Sequence, residues 1–222
     1  MYLRDVMVLP NCPGDFKHNL GLFRQATNHV TDILRHFLPD KYNLHGQRRV
    51  VIQLGNHIPP PKQYLEVDSV AEYHVPDFDL DEFLGKPPHQ QEEEILGLIE
   101  RALLDLAHRF GAETDPLLTT VQCVRETGFR LETELPVSKT HKSRKLRVHV
   151  IRRFAPGGVN VRAEIRKKSG ELLGSRELLS NAWIVATSQN FRASRWAGDA
   201  LKLFDCSGCV AATIPCGDYL ET

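Results

Sequence analysis

The feature that most constrains the fold is a change in the spacing of apolar residues near Leu135. Before it they recur at three- and four-residue steps, and after it they alternate with polar ones. The first spacing puts an apolar stripe along an α-helix, and the second puts an apolar face on a β-strand. Phe16, Leu20, Phe23, Ala26, Val30, Ile33, Leu34 and Phe37 predict a helix capped by Asp15 and stopped before Pro39. The run Ile95, Leu96, Leu98, Ile99, Ala102, Leu103, Leu106, Ala107 and Phe110 predicts a longer helix, opened at Pro87 and Pro88 and closed by Gly111. A third helix is expected from Asp115 and Pro116 to Gly128, and a short amphipathic piece over Phe78 to Leu84. Short strands are expected at Tyr2 to Leu9, Val50 to Leu54 and Tyr64 to Val75, the first broken by Asn11 to Gly14 and the last two joined through Pro59 to Pro61.

Past Leu135, Leu146, Val148 and Val150 alternate with Arg147 and His149, and Val159, Val161, Ala163 and Ile165 alternate with Asn160, Arg162, Glu164 and Arg166. Ala155 to Gly158 joins the two runs into a hairpin with one apolar and one basic face. Turns at Ser169 and Gly170, at Ala197 to Asp199 and at Ser207 and Gly208 extend it into a meander. The expected class is α+β, with N-terminal amphipathic helices packed on a mainly antiparallel sheet and a C-terminal β-meander. One domain over 1–222 is expected, helical over about 1–128 and a meander over about 129–222.

The charges cancel in total, with 28 Lys and Arg against 28 Asp and Glu, yet they are sorted along the chain. Glu66 to Asp115 carries fourteen carboxylates against Lys86, Arg101 and Arg109. Lys139 to Lys168 carries eleven Lys or Arg against Glu164 alone. Such sorting bears on partners, because fields of a few kT steer association without deciding fold. The acidic candidates for contact with a basic protein are Asp77, Asp79, Asp81, Glu82, Glu92, Glu93 and Glu100. The alternative is a basic face of Arg147, His149, Arg162 and Arg166, which would neutralise nucleic-acid phosphates, although no aromatic residues interleave with it for base stacking. Contact between acidic and basic regions of two copies would make a homodimer.

Chemistry-bearing motifs are scarce. There is no GxSxG elbow, HExxH, P-loop or Rossmann fingerprint, so no catalytic residue is expected, and an enzyme of unrecognised class is a further alternative. Thr140, His141, Lys142 and Ser143 read as a solvated basic loop, because spacing supplies neither an orienting partner nor a pocket. Cys206 and Cys209 have the spacing of half a thiolate zinc site or a redox pair, with Cys216 beyond them, but they flank a turn and no second CxxC closes a shell. Asp77, Asp79 and Asp81 alternate like a cation loop without the glycine and distal glutamate of an EF-hand. No metal or cofactor is expected. The five cysteines are an odd number, read as reduced thiols, and Met1 to Leu9 has no export signal. With no apolar run near the length of a membrane span, no membrane partner and a cytoplasmic location are expected.

The stretch PDFDLDEFLGKPPHQQEEEILGLIERALLDLAHRFGAE (Pro76 to Glu113) together with SRWAGDALKLFDCSGCVAATIP (Ser194 to Pro215) resembles bacterial immunity proteins encoded beside polymorphic toxins. The likeness is an aromatic-acidic lead into an apolar helix and a Trp-Ala-Gly-Asp strand pair, covering about a quarter of the chain and carrying no site residue over. It implies a cytoplasmic inhibitor that binds a cognate toxin domain and blocks its active site or substrate access.

Overall fold

The computed structural model describes residues 1–11, 16–55, 64–182 and 190–220. The turn cluster around Cys12 to Asp15 and the proline connection at Pro59 to Pro61 lie outside them. The chain divides into two compact units, Met1–Phe129 and Arg130–Thr222. The fold is α+β, with the α-helices in the first unit and antiparallel sheets in the second among the described residues. Among the described residues no helix is long and apolar enough to cross a membrane.

In the first unit β1 (Asp5–Pro10), α1 (Phe16–Phe37) and β2 (Arg49–Leu54) form a strand–helix–strand unit whose strands run parallel. A helical return brings the chain back in its starting direction, so this connection gives a parallel pair where a tight turn gives an antiparallel one. The strand expected over Tyr64 to Val75 is instead a hairpin of β3 (Tyr64–Val67) and β4 (Val70–Val75). Its two-residue turn, Asp68 and Ser69, has φ of 47° and 69°. Two positive φ values match the right-handed twist of a hairpin, and without Gly or Asn here the sequence carries little sign of it. β4 pairs with β2 in parallel, giving the sheet order β1-β2-β4-β3. The sheet under the helices is therefore mainly parallel, which corrects the antiparallel sheet expected there.

Register places Val6 and Val8 of β1, Val50, Ile52 and Leu54 of β2, and Ala71, Tyr73 and Val75 of β4 on one face, all buried. α1 packs against β1 and α3 (Pro88–Phe110) against β2, with Phe23, Val30, Ile33, Ile95, Leu96, Ile99 and Leu103 among the fully buried residues. Each such side chain stabilises the fold by roughly 2 kcal/mol through burial. α3 begins at its expected proline and ends at Gly111 in the left-handed conformation (φ 63°), whose amide donates to His108 O. The short α2 (Leu80–Gly85) precedes it and α4 (Asp115–Glu126) follows, packed on both α1 and α3.

A buried polar contact joins the two long helices in this core. His29 Nε2 of α1 lies 2.7 Å from Glu92 Oε1 of α3, and the residues are 1 % and 2 % exposed. Glu92 thus leaves the acidic surface on which the sequence placed it, because position 92 falls on the buried stripe of α3 beside Gln91, Ile95 and Leu96.

The second unit holds β5 (Leu131–Glu134), β6 (Lys139–Thr140), β7 (Leu146–Ala155), β8 (Gly158–Lys167) and β9 (Leu172–Ala182) in one antiparallel sheet, ordered β5-β7-β8-β9 with β6 also on β7. β10 (Ala193–Ala197), β11 (Ala200–Phe204) and β12 (Val210–Pro215) make a three-stranded sheet. Leu146, Val148, Val150, Val159, Val161 and Ala163 of the larger sheet and Leu201, Leu203 and Ile214 of the smaller are buried. Trp196 Nε1 donates to Thr140 O at 2.9 Å and Arg176 Nη1 donates to Thr213 O at 3.0 Å, tying the two sheets together.

Removing Glu92 takes a 2.7 Å hydrogen-bond partner from His29 in the core, so Glu92→Ala is expected to destabilise the first unit by about 3 kcal/mol. The exposed neighbour change Glu93→Ala should cost less than about 1 kcal/mol. Urea unfolding followed by far-ultraviolet circular dichroism checks the pair of values, since the long helices α1 and α3 belong to this unit.

Candidate functional site: a cleft beside β4

The last pair of β3 with β4 among the described residues is Tyr64↔Tyr73. A cleft of about 500 Å³ runs there, lined by Tyr73, His74, Val75, Pro76, Asp77, Phe78, Glu94, Leu98, Arg101 and Asp105. Its far wall is a single stripe of α3, because 94, 98, 101 and 105 follow one another at helical steps of three and four. Its near wall is the end of β4 and the link to α2.

Each polar group in this wall has a local reason for its place. Tyr73 points to the helix side of the sheet and its hydroxyl donates to Asp105 Oδ2 at 2.5 Å. Burial, helped by that carboxylate, raises the Tyr73 pKa, so the hydroxyl stays a proton donor. Glu94 accepts from Lys86 Nζ at 2.9 Å, and the same ammonium reaches Glu82 at 2.9 Å. Phe78 is held edge-on to Phe23 at 6.3 Å and tilted on Phe83 at 5.3 Å, so its ring has a fixed place in the wall. His74 is 6 % exposed, with both ring nitrogens lacking a hydrogen-bond partner and Nε2 3.8 Å from Glu72 Oε2. Burial lowers its pKa against the pull of Glu72, which favours the neutral ring.

The acidic candidates fall into three groups. Asp77, Asp79 and Asp81 are exposed around the start of α2, and among the described residues none forms an ion pair. Asp79 is the N-cap, accepting from the amides of Asp81 and Glu82 at 2.9 and 3.0 Å. Glu82, Glu93 and Glu100 are tied to cations of the same unit, Glu82 to Lys86 and the other two to Arg125 of α4 at 3.4 and 2.8 Å. Glu92 is the buried partner of His29. Glu94, Arg101, Tyr73 and His74 were not singled out in the sequence; the only sign was that 94, 98, 101 and 105 share a helical stripe, and nothing in it points to β4.

The basic candidates do share one sheet face, with Arg147 opposite Arg166, His149 opposite Glu164 and Ile151 opposite Arg162. That face carries its own counter-ions, however. Arg162 clamps Glu132 with two bonds of 2.9 Å and reaches Glu164 at 2.8 Å, and Arg166 meets Glu164 at 2.8 Å. Arg147 and His149 meet Glu134 at 2.8 and 3.1 Å. Glu132 and Glu134 come from β5, a strand whose four residues are too few for alternation to show in sequence. The basic reading is corrected to a mixed ionic network across β5, β7 and β8.

Elsewhere, Cys206 and Cys209 are exposed on either side of the β11–β12 turn, where Gly208 takes φ of 83°. Cys216 is buried and its thiol is pushed up to about 11, which makes it a poor nucleophile at neutral pH. Among the described residues no three His, Cys, Asp or Glu side chains are grouped to hold a metal ion. His141, expected in a solvated loop, is only 3 % exposed, with Nδ1 2.9 Å from Ser143 Oγ and its ring edge-on to Trp196. No family model, curated protein or solved structure matches the chain.

The network predicts a pH response. Burial alone would raise the Glu134 pKa, but hydrogen bonds from Arg147, His149 and Ser138 outweigh it and hold the carboxyl at about 2, below its ordinary 4.5. A depressed folded-state pKa contributes stability that is present above the unfolded value and lost as pH falls through the folded one. The urea midpoint of the second unit is therefore expected to fall between pH 5 and pH 2, and to fall less in Glu134→Gln. Tryptophan fluorescence is the measurement, since both tryptophans, Trp183 and Trp196, belong to this unit.

Proposed function

We propose that the protein is a protein-binding inhibitor that meets a basic partner with the acidic surface around the β4–α2 link. The observation that carries this reading is the contrast between the two charged regions. Asp77, Asp79 and Asp81 stand exposed with no ion pair among the described residues, whereas Arg147, Arg162 and Arg166 are each engaged by a carboxylate of their own sheet. Free charge steers a partner and gives a fast, salt-sensitive encounter. Charge already neutralised within a sheet has little left for phosphates, so the nucleic-acid reading loses its main support.

The narrower form of the proposal is an immunity protein acting in the cytoplasm, covering the active site or substrate path of a cognate toxin domain. The immunity-protein resemblance of Pro76 to Glu113 and Ser194 to Pro215 supports it.

The test is affinity capture from the extract of the protein's own cells at low and high salt, with and without nuclease. A basic protein retained at low salt, released by high salt, indifferent to nuclease and lost with the triple variant Asp77→Lys, Asp79→Lys, Asp81→Lys is the expected outcome. Retention that vanishes with nuclease, or that survives the triple variant while Arg147→Ala, Arg162→Ala and Arg166→Ala abolish it, overturns the reading in favour of nucleic acid or of the other unit.

A further inference from the structure

The cleft beside β4 is more than an acidic patch. It is a cavity of about 500 Å³ with apolar side chains at Val75, Pro76, Phe78 and Leu98, and with carboxylates at Asp77, Glu94 and Asp105 against the single guanidinium of Arg101. A concave, partly apolar space with a few convergent polar groups is the usual form of a ligand seat. The signs of those groups define what fits: an organic cation carried on an apolar stem.

Two details narrow the cation further. Asp105 is oriented by the Tyr73 hydroxyl, so one carboxylate oxygen is fixed and the other is left to accept. Phe78 is locked by Phe23 and Phe83 in the wall of the cleft, an aromatic partner for a flat cation. A planar guanidinium has five donors in a fixed plane, is weakly hydrated and stacks on aromatic rings; an ammonium has three donors around a strongly hydrated point.

We infer that this cleft receives an arginine side chain of the partner, its guanidinium between Asp77 and Asp105 and against the Phe78 ring, and its methylene stem along Leu98. This rests on the protein-binding reading above and names the contact that anchors it.

The test uses the full chain and two small probes, N-acetyl-arginine amide and its neutral isostere N-acetyl-citrulline amide, followed by amide chemical shifts. Saturable shifts at Val75, Asp77, Leu98 and Arg101 with the arginine probe, absent with citrulline and reduced by added salt, are expected. The double variant Asp77→Asn, Asp105→Asn should weaken the probe by about tenfold, the loss of one charge-assisted bond or more. The side-chain amide oxygen that Asp105→Asn introduces still accepts from Tyr73, so the fold is kept, and circular dichroism of the variant checks this. No saturable shift, equal shifts with citrulline, shifts scattered over other carboxylates, or a double variant that binds as before overturns the inference. Partner capture that persists while the probe fails refutes the arginine seat and leaves the inhibitor reading standing. Probe binding at the cleft with no partner captured does the reverse.

Discussion

The position of α3 is the constraint on which the cleft depends, and the contact that sets it is the pair of His29 and Glu92. Two ionisable groups removed from water are costly unless they meet in good geometry, and at 2.7 Å they do. Apolar side chains alone would let two long helices slide or turn against each other, since hydrophobic burial has no direction. A hydrogen bond between one nitrogen and one oxygen has a direction, and it fixes both the register and the rotation of α3 on α1. With that rotation set, the stripe of Glu94, Leu98, Arg101 and Asp105 faces the end of β4.

Two further contacts hold the same helix from other sides. Tyr73 reaches from the sheet to Asp105, and Arg125 reaches from α4 to Glu93 and Glu100. The first belongs to the cleft and orients a carboxylate in it. The second neutralises two partly exposed carboxylates, and pairs of this kind contribute little stability. Their effect is on the distribution of free charge: among the described residues Asp77, Asp79 and Asp81 around the start of α2 carry no ion pair, while Glu82, Glu93 and Glu100 do.

The second unit shows the same physics with the opposite outcome. A hairpin whose sequence is strongly basic becomes nearly balanced once β5 lies beside it, because Glu132 and Glu134 project onto the same face as Arg147, His149 and Arg162. Cross-strand neighbours of opposite sign stabilise a sheet by a few tenths of a kcal/mol to about 1 kcal/mol each. A row of arginines facing one another, as Arg147 faces Arg166, would be repulsive without the carboxylates between them. The sheet therefore uses its basic residues for its own cohesion.

The apolar spacing by itself determined the helices and most of the strands. Phe16 to Phe37 and Ile95 to Phe110 were legible because a helix repeats its buried positions, and Gly111 and Pro88 marked its ends. The hairpin from Leu146 to Lys167 was legible because a strand alternates. These are local properties, decided by residues a few places apart. Tertiary structure decided what stood next to what. That Glu92 is buried while Asp77 is exposed, that Glu132 neutralises Arg162 across thirty positions, and that Tyr73 meets Asp105 across thirty-two all depend on elements brought together by packing. The parallel sheet and the Asp68–Ser69 turn belong with them, since strand direction follows from the whole connection and an αL turn without glycine leaves no mark in composition. Charge sorting along the chain was a property of the sequence; which charges remained free was settled only by the fold, because an ion pair needs two residues in one place.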